Sequence, residues 1–429
     1  MIRLLASILV LLPLAASAEI THQRLDELAA EVQPQVVEWR RWFHEHPELS
    51  NREFETSARV AEILEGMGLE PQTGIAKTGV IAILEGGKPG PLVAVRADMD
   101  ALPVTEQTGL DFASTATTTY NGQDTGVMHA CGHDSHMAMA LGAAQVLTQV
   151  KDELPGSVMF IFQPAEEGPP AGEEGGASLM LEEGIWDDRT PEAIFALHIG
   201  ISQPGGQFSV RPGPMMAAAD RWQLTVLGKQ THGARPWDGV DPIVVAAQIV
   251  LGFQTVASRQ VDVTKAPSII SVGRIQGGIR NNVIPDRVEL EGTIRSFDQE
   301  MREQIHARME QTARLIAESA GAEVEFVVDD GTPPLINDPD LVARMMPTLR
   351  RVSVGNQVND LNPQTVAEDF SEFSNATAGM MIFLGNSEPG VDPSTLPTNH
   401  SPFFDVYEPN MAVGVRAFSH LVVDYLTGE

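Results

Sequence analysis

Three histidines and the chain's single cysteine fall within eight residues, His129-Ala130-Cys131-Gly132-His133-Asp134-Ser135-His136, in a chain with 11 His. Thiolate and imidazole are ligands of borderline transition metals, zinc above all, with Mn, Co or Ni as alternatives. Gly132 lets the loop curl so that Cys131 and His133 aim at one point. A second group, Gln163-Pro164-Ala165-Glu166-Glu167-Gly168, follows a very apolar run. Pro164 ends a strand there, and adjacent carboxylates point apart, so one can bind metal while the other faces substrate. A metal-activated water needs a base to take its proton, and a Glu beside the metal suits that task. Glu173-Glu174 and Glu182-Glu183, by contrast, read as solvated surface. His198 closes the run Phe195-Ala196-Leu197. A lone His there is more often structural, but it can also supply a further ligand.

The elements around these residues follow from apolar spacing. Leu25, Leu28, Val32, Val36, Trp39 and Phe43 recur at three and four, which predicts a helix over 21–46 that Pro34 should kink or restart. A second helix is expected at 56–67, stopped by Gly68. Val80–Leu84 and Leu92–Arg96, joined by a Gly- and Pro-rich turn, read as a hairpin. Short apolar runs then alternate with helical stretches: Leu92–Arg96, Val158–Phe162, Ile194–Leu197 and Met380–Leu384, with an Ala-rich helix at 134–150. That order predicts an α/β sheet, at least partly parallel. Each run ends in polar residues: Asp98 and Asp100, Glu166 and Glu167, His198, and Asn386 with His400 further on. In open α/β sheets, sites form outside the carboxyl ends of strands.

Residues 213–330 read differently. They give the order βαββαβ, a complete ferredoxin-like unit: strands at 222–227, 268–275, 287–295 and 323–328, helices at 241–258 and 298–320. The sheet pattern resumes afterwards. A catalytic domain of residues 19–212 and 331–429 is therefore expected, interrupted by a smaller domain at 213–330.

Composition excludes several classes. The chain has 429 residues, 43% of them hydrophobic, an ordinary globular balance. Its 28 Lys and Arg against 58 Asp and Glu give a net charge of −30, which disfavours phosphate backbones and anionic lipid. Leu4–Ala16 is too short to span a membrane as a helix. With Arg3 before it and Ala16-Ser17-Ala18 after it, it reads as a secretory signal (1–18) cut after Ala18, so the mature chain is expected to be exported, periplasmic or secreted. No later segment reads as long and apolar enough to span. One cysteine allows no internal disulfide, and a free thiol in an oxidising compartment is a liability unless buried or bound.

Together these residues resemble the M20 metallopeptidase family, in its amidohydrolase branch of hippurate hydrolase, N-acyl-amino-acid amidohydrolases and plant auxin-conjugate hydrolases. The matching stretches are His44-Glu45-His46-Pro47-Glu48-Leu49, Arg96-Ala97-Asp98-Met99-Asp100-Ala101-Leu102-Pro103, the His129–His136 run and Gln163–Gly168. His232-Gly233-Ala234-Arg235-Pro236, Asn282-Val283-Ile284-Pro285, Glu368-Asp369-Phe370 and Asn399-His400-Ser401-Pro402 continue them in order. The chain departs from the pattern at Ala367 and Trp237.

The resemblance implies a two-metal catalytic α/β domain with an inserted lid that makes a homodimer, and two divalent ions per subunit, Zn or Mn. It implies that Cys131 bridges the ions, that His133 and His198 complete one site and Glu167 and His400 the other, and that Glu166 is the general base. Asp98 is not carried over as a ligand, and Asp100 is expected behind the ligands. His232 is a surface-loop histidine by spacing alone, but Gly228 and Gly233 permit close approach to a ligand. The resemblance sets it over the partner subunit's site to hold substrate, with Asn282 a further candidate. The expected activity is cleavage of N-acyl amino acids. The rivals are a carboxypeptidase or dipeptidase on the same scaffold and, from another class, a solute-binding protein, which would need no general base.

Overall fold

Apolar runs without alternation suit strands buried on both faces, and the four runs become the centre of an eight-stranded sheet. The computed structural model describes residues 20–200 and 203–428; the expected signal peptide lies outside them. In space the strands run Gln72–Ile75, Gly79–Glu85, Pro155–Gln163, Lys88–Asp98, Ala193–Gly200, Ala378–Gly385, Phe208–Val210 and Val358–Asp360. The four central strands, Pro155–Gln163 through Ala378–Gly385, are mutually parallel. Their carboxyl ends therefore share one edge.

Alternate residues on these strands divide between two cores. Val93, Val95, Phe160, Phe162 and Phe195 pack under the long helices His22–Glu45, His133–Thr148 and Met411–Thr427. Ala94, Met159, Ile161 and Ile194 pack under the short helices Gly176–Glu182 and Phe370–Ala376. The first helix is continuous through Pro34 rather than kinked into two. Pro34 and Ala30, whose carbonyl loses its donor, both face solvent, so water replaces the missing bond.

The expected hairpin does not form. Gly79–Glu85 pairs antiparallel with Pro155–Gln163, which lies between it and Lys88–Asp98. The connection crosses the segment before that strand: Gly86 N–H donates to the Gly156 carbonyl and Gly87 N–H to that of Lys151. A Cβ at Gly87 would stand 2.2 Å from the Asp152 carbonyl oxygen, so the crossing needs glycine. Sequence proximity suggested pairing, and this close backbone crossing prevents it.

The inserted unit has its own core around Trp222, Phe253, Ile294 and Ile305. Its antiparallel sheet runs Ser268–Gly277, Arg287–Ser296, Ala219–Leu227, Glu323–Thr332, with helices Pro242–Thr255 and Gln299–Ala320 packed on it. The outgoing and returning chain pair with each other as Gly213–Met216 and Leu335–Asn337. Contrary to the sequence reading, one helix, Pro242–Gln260, is long and apolar enough to cross a membrane by length and composition. Val245, Ile249 and Phe253 bury against the lid sheet, while Ile243, Val244 and Leu251 of the same helix stay exposed.

The three long helices meet at Gly142, where a Cβ would stand 2.7 Å from methyls of both Val36 and Val415. Gly142→Leu should therefore cost about 1–3 kcal/mol of stability by overpacking. Urea unfolding checks this, and an unchanged midpoint would show that the helices part freely.

Candidate metal centre and active site

The loop before the Ala-rich helix turns through Gly132 at φ 102, a left-handed conformation suited to glycine. It delivers Cys131 and His133 to the shared edge, where the strand Ala193–Gly200 brings His198. His133 Nδ1 donates to the Asp100 carbonyl at 2.7 Å, and His198 Nδ1 donates to the Ile199 carbonyl at 2.9 Å. Both rings thus turn Nε2 towards the cluster, and His198 Nε2 lies 3.4 Å from Cys131 Sγ. From the other side His400, at φ 67 and anchored by its N–H to the Ala130 carbonyl, brings Nε2 to 3.1 Å from Glu167 Oε1.

Cys131, His133 and His198 form one group whose ligand atoms lie within 4.8 Å of one another, and Cys131, Glu167 and His400 form another. The two share the sulfur. His133 Nε2 is buried without a hydrogen-bond partner, and Glu167 Oε1 has His400 Nε2 beside it. Burial would raise the Cys131 thiol, but His198, His133 and His400 pull it well below its ordinary value. A thiolate, a carboxylate and three imidazole nitrogens gathered at one place fit a pair of divalent cations held by these five residues.

The Glu pair sits on a turn in which Ala165 takes φ 54. Asp100 holds the turn: its two oxygens accept the N–H groups of Glu166 at 3.1 Å and Glu167 at 3.0 Å, and Ser50 donates to it at 2.7 Å. It thereby steadies Glu166, Glu167 and His133 together. Burial, with Glu368 and Glu167 close by, pushes the Glu166 carboxyl well above the ordinary range. Its Oε2 lies 3.8 Å from His133 Nε2. A carboxyl at the edge of a metal cluster that takes up a proton readily is suited to accept and return one.

Sequence reasoning missed Arg96 as the organiser. Its buried guanidinium donates to Asp98 (2.7 Å), Gln163 (2.7 Å), Glu368 (2.9 Å) and Asp369 (3.0 Å). A charge inside the apolar run Leu92–Ala97 was the available signal. Asp98 turns its other oxygen to His136 Nδ1, 2.7 Å away, and does not join the shared-sulfur groups. His232 and Asn282 come together with each other: Thr231–His232 pairs with Val283–Ile284, and Gly233 N–H donates to the Asn282 carbonyl at 2.9 Å. Neither lines the cavities next to Glu166 and Glu167.

A cavity of about 540 Å³ opens on Cys131, Glu166, Glu167, His198 and His400, with Ile199, Met216, Leu361 and Phe383 among its walls. A second, of about 430 Å³, lies between Glu166, Glu368 and the lid residues Arg221 and Arg295.

Residues 94–424 match the profile of peptidase family M20/M25/M40. The chain is 39% identical to thermostable carboxypeptidase 1 of Saccharolobus solfataricus over 94% of this chain and 98% of that protein. It is 40% identical to an N-acyl-L-amino acid amidohydrolase of Geobacillus stearothermophilus over 74% and 82% respectively. Among solved structures, the YXEP protein of Bacillus subtilis, described as a dinuclear metal-binding peptidase of the M20 family, superposes with a TM-score of 0.77 at 35% identity, covering 93% of this chain and 99% of that one.

Removing the guanidinium strands the buried acids Asp98 and Glu368. Arg96→Met should destabilise the protein by about 3–5 kcal/mol, the usual penalty for breaking a buried pair, and lower metal retention after dialysis. Arg96→Lys, a point charge in place of a fork, should rescue little of either. Wild-type unfolding and metal content in Arg96→Met would deny Arg96 its organising part.

Proposed function

The chain belongs to peptidase family M20/M25/M40 and hydrolyses amide bonds, and we propose that its substrates are N-acyl amino acids, hippurate-like in size, released as a carboxylic acid and a free amino acid. The single observation that carries this is the shared-sulfur donor set beside Glu166 at the floor of a cavity of about 540 Å³ with partly apolar walls. That volume suits a small molecule. Apolar Ile199, Met216 and Phe383 suit an acyl group, and Arg221 and Arg295 offer cations to a substrate carboxylate.

Two divalent ions held by Cys131, His133, His198, Glu167 and His400 would supply Lewis acidity, acidifying a water and polarising the amide carbonyl. The thiolate ligand favours zinc, with manganese as the alternative. Glu166 takes the proton of the attacking water and hands it to the leaving nitrogen. Asp100 keeps Glu166 in place through the turn amides. A solute-binding role falls with the family assignment.

A peptidase reading keeps one specific support, the similarity to a carboxypeptidase along nearly the whole chain. Turnover of benzoyl- and acetyl-amino acids against that of dipeptides and blocked peptides, with metal restored after chelation, decides between them. Preference for the peptides would overturn the acyl-amino-acid reading. Glu166→Gln should keep metal and fold but lose turnover by about 10²-fold or more, whereas Cys131→Ser should lose metal as well. Near-normal turnover in Glu166→Gln would put the base elsewhere.

Export and a homodimer belong to the same proposal. Residues 1–18 have the form of a secretory signal cut after Ala18, and the N-terminal sequence of the mature enzyme tests it. Ile243, Val244 and Leu251 leave the lid helix with an exposed apolar face that suits a second copy. His232, which lines none of its own subunit's cavities beside Glu166 and Glu167, would then serve the partner's. His232→Ala mixed with Glu166→Gln under exchange should recover about a quarter of wild-type activity, from two-fold symmetry alone. No recovery with heterodimers formed would confine His232 to its own subunit.

A further inference from the structure

The first and last helices, His22–Glu45 and Met411–Thr427, pack together along the face that also carries the catalytic loop's helix. Where their ends meet, two i, i+4 pairs face each other: His22 and Asp26 on the first helix, His420 and Asp424 on the last. His22 Nε2 lies 3.0 Å from Asp424 Oδ1, and His420 Nε2 lies 3.0 Å from Asp26 Oδ1. The two imidazoles stack with centroids 5.3 Å apart.

His420 is the informative member. It is wholly buried, and a carboxylate only accepts, so Nε2 carries the proton that Asp26 receives. Burial pushes the ring's affinity for a second proton down to about 4, so Nδ1 keeps a bare lone pair at neutral pH. That Nδ1 is buried and has no hydrogen-bond partner. A buried acceptor facing no donor is costly and needs an explanation.

His22, His420 and Asp424 each offer a ligand atom within 4.8 Å of the other two. We propose that these three residues hold a divalent first-row metal ion, zinc in the first instance, that clamps the two ends of the chain and is distinct from the catalytic pair. Two imidazoles and one carboxylate are a zinc donor set with a fourth position left open. Asp26 orients His420 as a carboxylate behind a metal-binding imidazole does. Thr348 and Arg351 occupy the far oxygen of Asp424, which leaves Oδ1 for the ion, and Arg416 pairs with Asp26 at 2.8 Å. The His22 side chain is 35% exposed, which gives the ion a way in. None of the three lines the catalytic cavity. The clamp stands whether or not the amide-hydrolase reading does.

An ion bound only by the folded chain stabilises it. Wild-type holoenzyme and His22→Ala, full mature chains, are equilibrated with zinc, passed over a desalting column and counted by elemental analysis. The wild type should retain one zinc more per subunit than His22→Ala at equal kcat/KM. Raising free zinc beyond catalytic saturation should lift the wild-type Tm, while His22→Ala and His22→Gln show at least about a tenfold weaker zinc response. Equal zinc content in wild type and variant, or equal zinc dependence of Tm, overturns the proposal.

Discussion

So many acids can share one sheet edge because a single guanidinium is buried among them. Parallel strands bring Asp98, Asp100, Glu166 and Glu167 to a common edge, and the turn at 368–369 adds Glu368 and Asp369. Left alone, such groups would repel each other and drag water into the core. Arg96 answers with a planar fork whose arms end on the next residue but one of its own strand, on the neighbouring strand and on the distant turn. Burial still pushes the Asp369 carboxyl up to about 8 against the pull of Arg96. The same bonds propagate to the ligands. Asp98, steadied by Arg96, fixes His136, and His136 Nε2 accepts the Ile199 N–H at 2.9 Å, one residue beyond His198.

A second buried arginine does for the loop what Arg96 does for the strands. Arg40, on the first helix, donates to Asp134 at 2.8 Å and to Asp405 at 2.8 Å. His44 Nδ1 reaches the same Asp134 oxygen at 2.8 Å, and its Nε2 reaches Glu106 at 3.1 Å. Burial alone would raise the Asp134 carboxyl, yet Arg40 and His44 hold it well below the usual range. Asp134 lies in the first turn of the helix that begins at His133, just after Cys131, and Asp405 follows His400. One arginine thus ties the first helix to both halves of the ligand set. A replacement there would loosen the centre without touching a ligand.

The sequence showed the parts of the site that rest on short-range chemistry. The Cys131–His133 loop, the Glu166–Glu167 pair and the strand ends were visible because unusual residue types sit beside apolar runs. What it hid depends on contacts distant in the chain. The strand Pro155–Gln163 inserts between two neighbours in sequence, and only the glycine crossing at 86–87 explains it. Arg96 read only as the end of a strand because its partners at 368–369 come some 270 residues later. The lid's strand order was legible, since each element carries its own period. The place of His232 was not, because an exposed loop has no buried pattern to fix it.

The three histidines of the cluster show why spacing finds a metal site but does not assign it. Each ring has two nitrogens, and the partner of one decides the use of the other. His136 donates from Nδ1 to Asp98 and accepts at Nε2 from Ile199, so it has nothing left to offer a metal. His129 has two buried, unpartnered nitrogens, and burial pushes it down to about 3. With no bond to fix its tautomer or its angle, it lacks the orientation a ligand needs. His133 alone has one nitrogen tied to a backbone carbonyl and the other bare, facing Cys131 and Glu166. A ligand histidine is therefore recognised by asymmetry, one nitrogen anchored and one free, and that asymmetry is made by Asp100, thirty-odd residues upstream, rather than by anything inside the motif.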